Sequence, residues 1–151
     1  MGKSGQIAAV CISTEKGVPK TPVEDIRLVE HHGVEGDAHA GTGREVSLLC
    51  ESSIAKIRKL GLDVGPGDFA ENLTLSGLSA EDFAAGLRLS IRTDGEEALL
   101  EVTQIGKECH TGCAIRRQVG DCVMPREGIF AKVLKGGPVR PGSIIEVTDA
   151  D

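Results

Sequence analysis

Residues 106–122 read GKECHTGCAIRRQVGDC, which places Cys109, Cys113 and Cys122 in C-x3-C-x8-C spacing together with His110, Lys107, Arg116 and Arg117. Two kinds of chemistry use such material. In the first, the thiolates hold a metal: zinc, with Cys109, Cys113, Cys122 and His110 as ligands, or an iron–sulfur cluster, which normally takes four cysteines and would need a further ligand such as Cys11 or Cys50. If residues 111–119 form a short helix that reaches back to Cys109, the i,i+4 spacing puts Cys109 and Cys113 on one face. In the second, one cysteine is a nucleophile. Three cations against Glu108 and Asp121 leave this stretch locally positive, which lowers a thiol pKa and favours the reactive thiolate, and His110 is a candidate to accept the proton.

Cys11 and Cys50 differ from these three. Each lies inside an apolar run, AAVCIS or VSLLCE, where a cysteine acts as a small core hydrophobe. Cys109, in a polar and glycine-flanked loop, is poorly placed for packing. A second polar stretch, HHGVEGDAHAGTGR at 31–44, offers Asp37 and His39 as ligands or a base, although both types also cap turns through their own backbone. Its GTG is too short for a phosphate loop, and the MGKS at the start lacks the strand and first glycine of a P-loop.

The elements that must position these groups are mostly strands. The chain has 151 residues, 40% of them hydrophobic and 26% charged, the composition of one globular domain spanning 1–151. Runs with strand character occur at 6–13, IRLV, REVSLLCE, NLTLSG, LRLSIRT, ALLEVTQIG and, at the end, as two strands within GIFAKVLKGGPVRPGSIIEV. Between LRLSIRT and ALLEVTQIG the DG turn is followed by two glutamates, which predicts a loop longer than two residues. The convincing helix is ESSIAKIRKLG, with Ile54, Ile57 and Leu60 at helical spacing and Gly61 as its stop; LSAEDFAAG is at most two turns. Many short strands with turn signals between them predict a mainly β protein, a barrel or sandwich rather than a parallel βαβ fold.

A net charge of −6, no Trp or Tyr and three Phe argue against nucleic-acid binding. The N-terminal apolar run is too short and broken for a signal peptide or membrane span, so a cytoplasmic protein with no membrane association is expected. Reduced thiols in that compartment favour metal or thiol chemistry over a disulfide framework.

Taken in order, GVEGDAHAG, REVSLLCES, GPGDFAENLTLSGL, EVTQIGKEC and GIFAKVLKGGPVRPGSIIEV resemble the MOSC domain family, named for the C-terminal domain of molybdenum cofactor sulfurases. The resemblance covers 33–147 and implies a closed or partly closed β-barrel with a few short helices. It implies molybdenum cofactor as ligand or sulfur as cargo, with Cys109 at the family's signature cysteine, where relatives carry a persulfide or ligate molybdenum. The chain would then be a sulfurtransferase, a sulfur carrier or a cofactor-dependent component. Asp37, His39, Arg44, Arg116, Arg117 and Lys132 are the candidate cofactor-binding residues, the basic ones for an anionic pterin phosphate. The implied partners are a cysteine desulfurase that supplies sulfur, because the chain carries no such domain, or a molybdenum or tungsten enzyme on which it docks as an accessory. Cys113 and Cys122 are additional to the signature cysteine. They allow a resolving disulfide, or the rival reading of a non-catalytic zinc or iron–sulfur module built on Cys109, Cys113, Cys122 and His110.

Overall fold

Alternating apolar residues close seven strands into a barrel in the computed structural model, which describes residues 3–15, 19–38, 40–41, 45–106 and 127–148. The strands are β1 (Lys3–Ile12), β2 (Thr21–Val23), β3 (Ile26–Val29), β4 (Gly33–Val34), β5 (Val46–Cys50), β6 (Leu73–Ser76), β7 (Arg88–Thr93), β8 (Glu96–Ile105), β9 (Ile129–Lys135), β10 (Gly137–Val139) and β11 (Ile144–Thr148), and α1 (Glu51–Arg58) follows β5. The order β11-β7-β8-β9-β5-β6-β1 closes through β1–β11 pairing, and β2 extends β1 beyond the point where β11 leaves it. A separate three-stranded sheet runs β10-β3-β4. The expected mainly β barrel is what forms.

Inward positions at period two fill the barrel: Val46, Leu48 and Cys50 of β5, Leu89 and Ile91 of β7, Leu100 and Val102 of β8, and Ala131 and Val133 of β9 all join one buried cluster. Neighbouring positions on β5 and β9 serve a second, smaller core, because Leu49 and Phe130 pack with Ile54 and Ile57 of α1 and with Val64 and Phe69. β5 is therefore buried along its whole length. It pairs in parallel with β6 across α1 and antiparallel with β9, so one βαβ crossover sits within an otherwise antiparallel barrel.

Two local expectations change. Thr93 pairs directly with Glu96 and Arg92 with Glu97, so the β7–β8 hairpin turns on two residues. Asp94 at φ 49 and Gly95 at φ 83 supply the two positive φ angles that a tight hairpin turn needs, and the glutamates belong to β8. The C-terminal run gives three strands, not two: Gly137–Val139 pairs with β3 as an edge strand, which tolerates the missing N–H of Pro138. The LSAEDFAAG stretch forms one 3₁₀ turn at Ala80–Asp82. The short helix expected at 111–119 lies outside the described residues. Among the described residues no helix is long and apolar enough to cross a membrane.

Candidate functional site

The stretch that carries the thiols is inserted between β8 and β9. Ile105 pairs with Ile129, and one residue further on the Gly106 N–H donates to the Gly128 carbonyl at 2.6 Å. The two ends of residues 107–126 therefore meet at one point of the barrel rim. Glu127 fastens that point to α1: its Oε1 accepts a hydrogen bond from the Ser53 hydroxyl at 2.7 Å and its Oε2 one from Lys56 Nζ at 2.7 Å. Cys109, His110, Cys113, Arg116, Arg117 and Cys122, together with His39 and Arg44, lie outside the described residues. The roles of Ser53 and Glu127 had no sequence signal, since the two stand 74 residues apart.

Nearby, Cys50 is fully buried, and burial first, then the negative charges of Asp82 and Glu127, push its thiol up to about 12. Cys11 is also fully buried and its thiol is likewise pushed up to about 12, by burial first and then by Glu71 and Asp68, with Lys20 opposing. Neither offers a thiolate near neutral pH. Both are the packing residues that their apolar runs suggested.

A different polar cluster stands at the opposite end of β5. The Asp37 carboxylate accepts hydrogen bonds from Lys20 Nζ at 2.8 Å and from the Ser13 N–H at 3.0 Å. Neither the Lys20 nor the Asp37 side chain has any solvent exposure. Alongside, Lys20 N–H donates to the Gly67 carbonyl at 2.7 Å. Gly67 has φ +89, and a Cβ there would stand 2.1 Å from the Lys20 carbonyl oxygen, so only glycine allows this approach. Glu71, completely buried, accepts from the Phe69 N–H at 3.2 Å and the Thr74 hydroxyl at 3.0 Å. Burial raises its pKa above the ordinary carboxylate value, against the lowering effect of those hydrogen bonds. Asn72 donates to the Cys11 carbonyl and accepts from the Ser47 N–H, both at 3.1 Å. Lys20, Glu71 and Asn72 were not singled out by sequence reasoning; the last two stand in GPGDFAENL, a stretch that entered only through the family resemblance.

Of the candidate cofactor-binding residues, Asp37 and Lys132 are among those described. Asp37 is turned inward to Lys20. Lys132 lies between the inward-facing Ala131 and Val133, opposite Glu101 of β8, with its Nζ 3.4 Å from a Glu101 carboxylate oxygen and its side chain 45% exposed. The fold does not bring the two together. Antiparallel pairing of Val46 with Ala131 and of Leu48 with Ile129 puts the root of 107–126 toward the end of β5, whereas Asn72 of the polar cluster meets the Ser47 N–H near its start. Among the described residues no three or more His, Cys, Asp or Glu side chains are grouped so as to hold a metal ion.

The MOSC domain profile matches residues 35–146. In three dimensions the chain is similar to the YuaD protein from Bacillus subtilis, with a TM-score of 0.80 and 18% identity, covering 100% of this chain and 99% of that one. It is similar also to YiiM from Geobacillus stearothermophilus (TM-score 0.70, 21% identity, 96% of this chain and 75% of that one) and to YiiM from Escherichia coli (TM-score 0.65, 21% identity, 96% and 70%). At these identities the likeness is one of fold. No curated protein matches the chain by sequence.

Proposed function

The chain belongs to the MOSC domain family, which ties it in general to molybdenum cofactor biology, and from that premise we propose that it carries and transfers sulfur for that cofactor through the thiolate of Cys109. The observation that supports this most is the sequence context: Cys109 follows the last residue of β8 by four positions, at the family's signature cysteine, among Lys107, Arg116 and Arg117. Cations of this kind hold a thiol in its nucleophilic form. Burial takes that form away from Cys11 and Cys50, so neither competes.

The chemistry is an exchange without net oxidation. The Cys109 thiolate attacks the outer sulfur of a donor persulfide; a bond from the Cys109 sulfur to that atom forms as the donor's S–S bond breaks, and the donor leaves as a thiolate. Attack by an acceptor on the same outer sulfur then releases it and restores the Cys109 thiolate. A cysteine desulfurase is the class of protein that supplies such a donor, and a molybdenum or tungsten enzyme the class that receives the product.

The pterin of the cofactor fits the described residues poorly. The Asp37 carboxylate faces an internal ammonium, not a ligand, and the Lys132 cation is shared with Glu101. Binding of cofactor therefore rests on Cys109, His39, Arg44, Arg116 and Arg117. Native mass spectrometry with metal analysis tests the proposal, on protein purified anaerobically from a molybdenum-replete host. The expected result is one extra sulfur atom on the wild type, lost in Cys109→Ser. A cofactor-sized adduct containing molybdenum and lost in the same variant would replace sulfur carriage by cofactor binding. Stoichiometric zinc or iron with neither adduct would overturn both in favour of a metal module at Cys109, Cys113, Cys122 and His110.

A further inference from the structure

We propose that residues 19–25, which include β2, form a strap that lifts off the end of the barrel as a unit while the barrel stays closed, with Lys20 as the pin that holds it down.

Burial along the strap is uneven. Pro19, Thr21, Pro22, Glu24 and Asp25 are exposed and Val23 is half-buried, whereas the Lys20 side chain has no solvent exposure. Just beyond the strap, Ile26 is buried in the main core. The segment is therefore held by apolar packing at its far end and by a charged side chain at its near end. Lys20 Nζ reaches the Asp37 carboxylate at 2.8 Å, and the Lys20 N–H donates to the Gly67 carbonyl at 2.7 Å. The same Asp37 oxygen accepts the Ser13 N–H at 3.0 Å, and the Ala38 N–H donates to the Ser13 carbonyl at 2.8 Å. The socket for the pin is thus fastened to the end of β1 by bonds that do not involve the strap.

Between its two ends the strap has little to hold it. Among the described residues β2 pairs with β1 alone, over three positions: Val23 with Val10, Pro22 with Cys11 and Thr21 with Ile12. Pro19 and Pro22 have no N–H to give. A short edge strand with little buried apolar surface belongs to the low-stability end of a fold, whereas β5, β7, β8 and β9 are each paired on both sides in the closed barrel.

What the strap covers is Cys11. Its Sγ lies 3.2 Å from the point that a Cβ on Gly67 would occupy, and that same point is 2.1 Å from the Lys20 carbonyl oxygen. The thiol therefore sits under the contact between the strap and Gly67. It is fully buried with the strap down, and lifting opens it to small reagents. Cys50 is packed in the main core among the inward residues of the barrel strands and is reached only when the barrel itself opens.

The test treats the whole chain with iodoacetamide at pH 8 in urea below the unfolding transition and follows Cys11 and Cys50 separately by peptide mass. Cys11 is expected to be alkylated at least about tenfold faster than Cys50, with a shallower dependence on urea, because that dependence scales with the surface exposed on opening. Lys20→Met is expected to raise the Cys11 rate about a hundredfold without steepening its urea dependence, and Gly67→Ala about thirtyfold, with Cys50 the slower thiol in both. Equal rates and equal urea dependences at the two thiols of the unaltered chain would mean that Cys11 is reached only through unfolding of the whole barrel, which overturns the strap whether or not the variants fold. A Cys11 rate unmoved by Lys20→Met would overturn the role of the pin.

Discussion

Before β5 the described residues gather a lysine, two carboxylic acids, an asparagine and a thiol into the interior, whereas beyond β5 they offer a serine, a lysine and a glutamate around a narrow neck. The first group has the look of an active site and the second does not, yet their environments reverse that impression. Lys20 and Asp37 are paired with each other at 2.8 Å with no solvent exposure, and the Cys11 thiol beside them is pushed up to about 12. Burial of this depth removes the reactivity that the side chains have in water. The polar cluster ties Ser13, Lys20, Asp37 and the 65–72 segment together. At the far end, Glu127 ties the start of β9 to α1, and the thiols of 107–126 are flanked by cations in sequence.

The comparison breaks most visibly at Asp37. Replacement by Ala leaves the Lys20 ammonium buried without its carboxylate and is expected to cost about 3–5 kcal/mol in urea-induced unfolding, whereas Lys20→Met with Asp37→Leu should recover most of the loss. A full-sized loss in the double variant would show that the pair does more than satisfy each other's charge. Gly67→Ala comes next, at about 2–3 kcal/mol, because its methyl meets the Lys20 carbonyl and its φ is positive. A loss below 0.5 kcal/mol would mean that the three segments are not held in register there.

A smaller effect is written in the pH dependence. Folded Glu71 binds its proton more tightly than it does in the unfolded chain, where the ordinary value is 4.5. Between that value and its raised one the folded state carries more protons, so stability falls as pH rises through this window and the penalty is complete above it. Glu71→Gln should flatten that part of the profile; Thr74, whose hydroxyl can donate or accept, can face the new amide nitrogen. A slope unchanged by the substitution would assign it to other groups. Smallest of all in energy, yet most direct in contrasting the two ends, is alkylation of the native protein by iodoacetamide at pH 8. Label is expected within 107–126 and none on Cys11 or Cys50; modification of either buried thiol without denaturant would contradict the division.

Some elements are legible in the sequence because their signals are local. The period-two runs of β7 and β8 and the helical spacing of Ile54 and Ile57 each report which face is covered, and covered faces are what the barrel and α1 then bury. The two glutamates after Asp94–Gly95 misled because charge suggests loop, while on an outward or edge position a strand accepts it. Lys20 sits in GVPKTP, which reads as a break between strands; its partner lies 17 residues on, and Glu127 finds Ser53 across 74. Pairings over such distances depend on barrel closure, which no short pattern encodes. Asp37 reads from the sequence as a ligand or a turn former; its contacts with the Ser13 N–H, 24 residues away, and with Lys20 are long-range ones that only the fold supplies. The thiol-rich stretch stood out by composition alone.

Sulfur loading and unfolding measured side by side on Cys109→Ser and Asp37→Ala test the division of labour most directly. The account predicts that Cys109→Ser takes up no sulfur and unfolds within about 0.5 kcal/mol of the wild type, and that Asp37→Ala loses about 3–5 kcal/mol of stability yet loads the wild-type amount per folded molecule. Sulfur retained by Cys109→Ser would contradict the account outright.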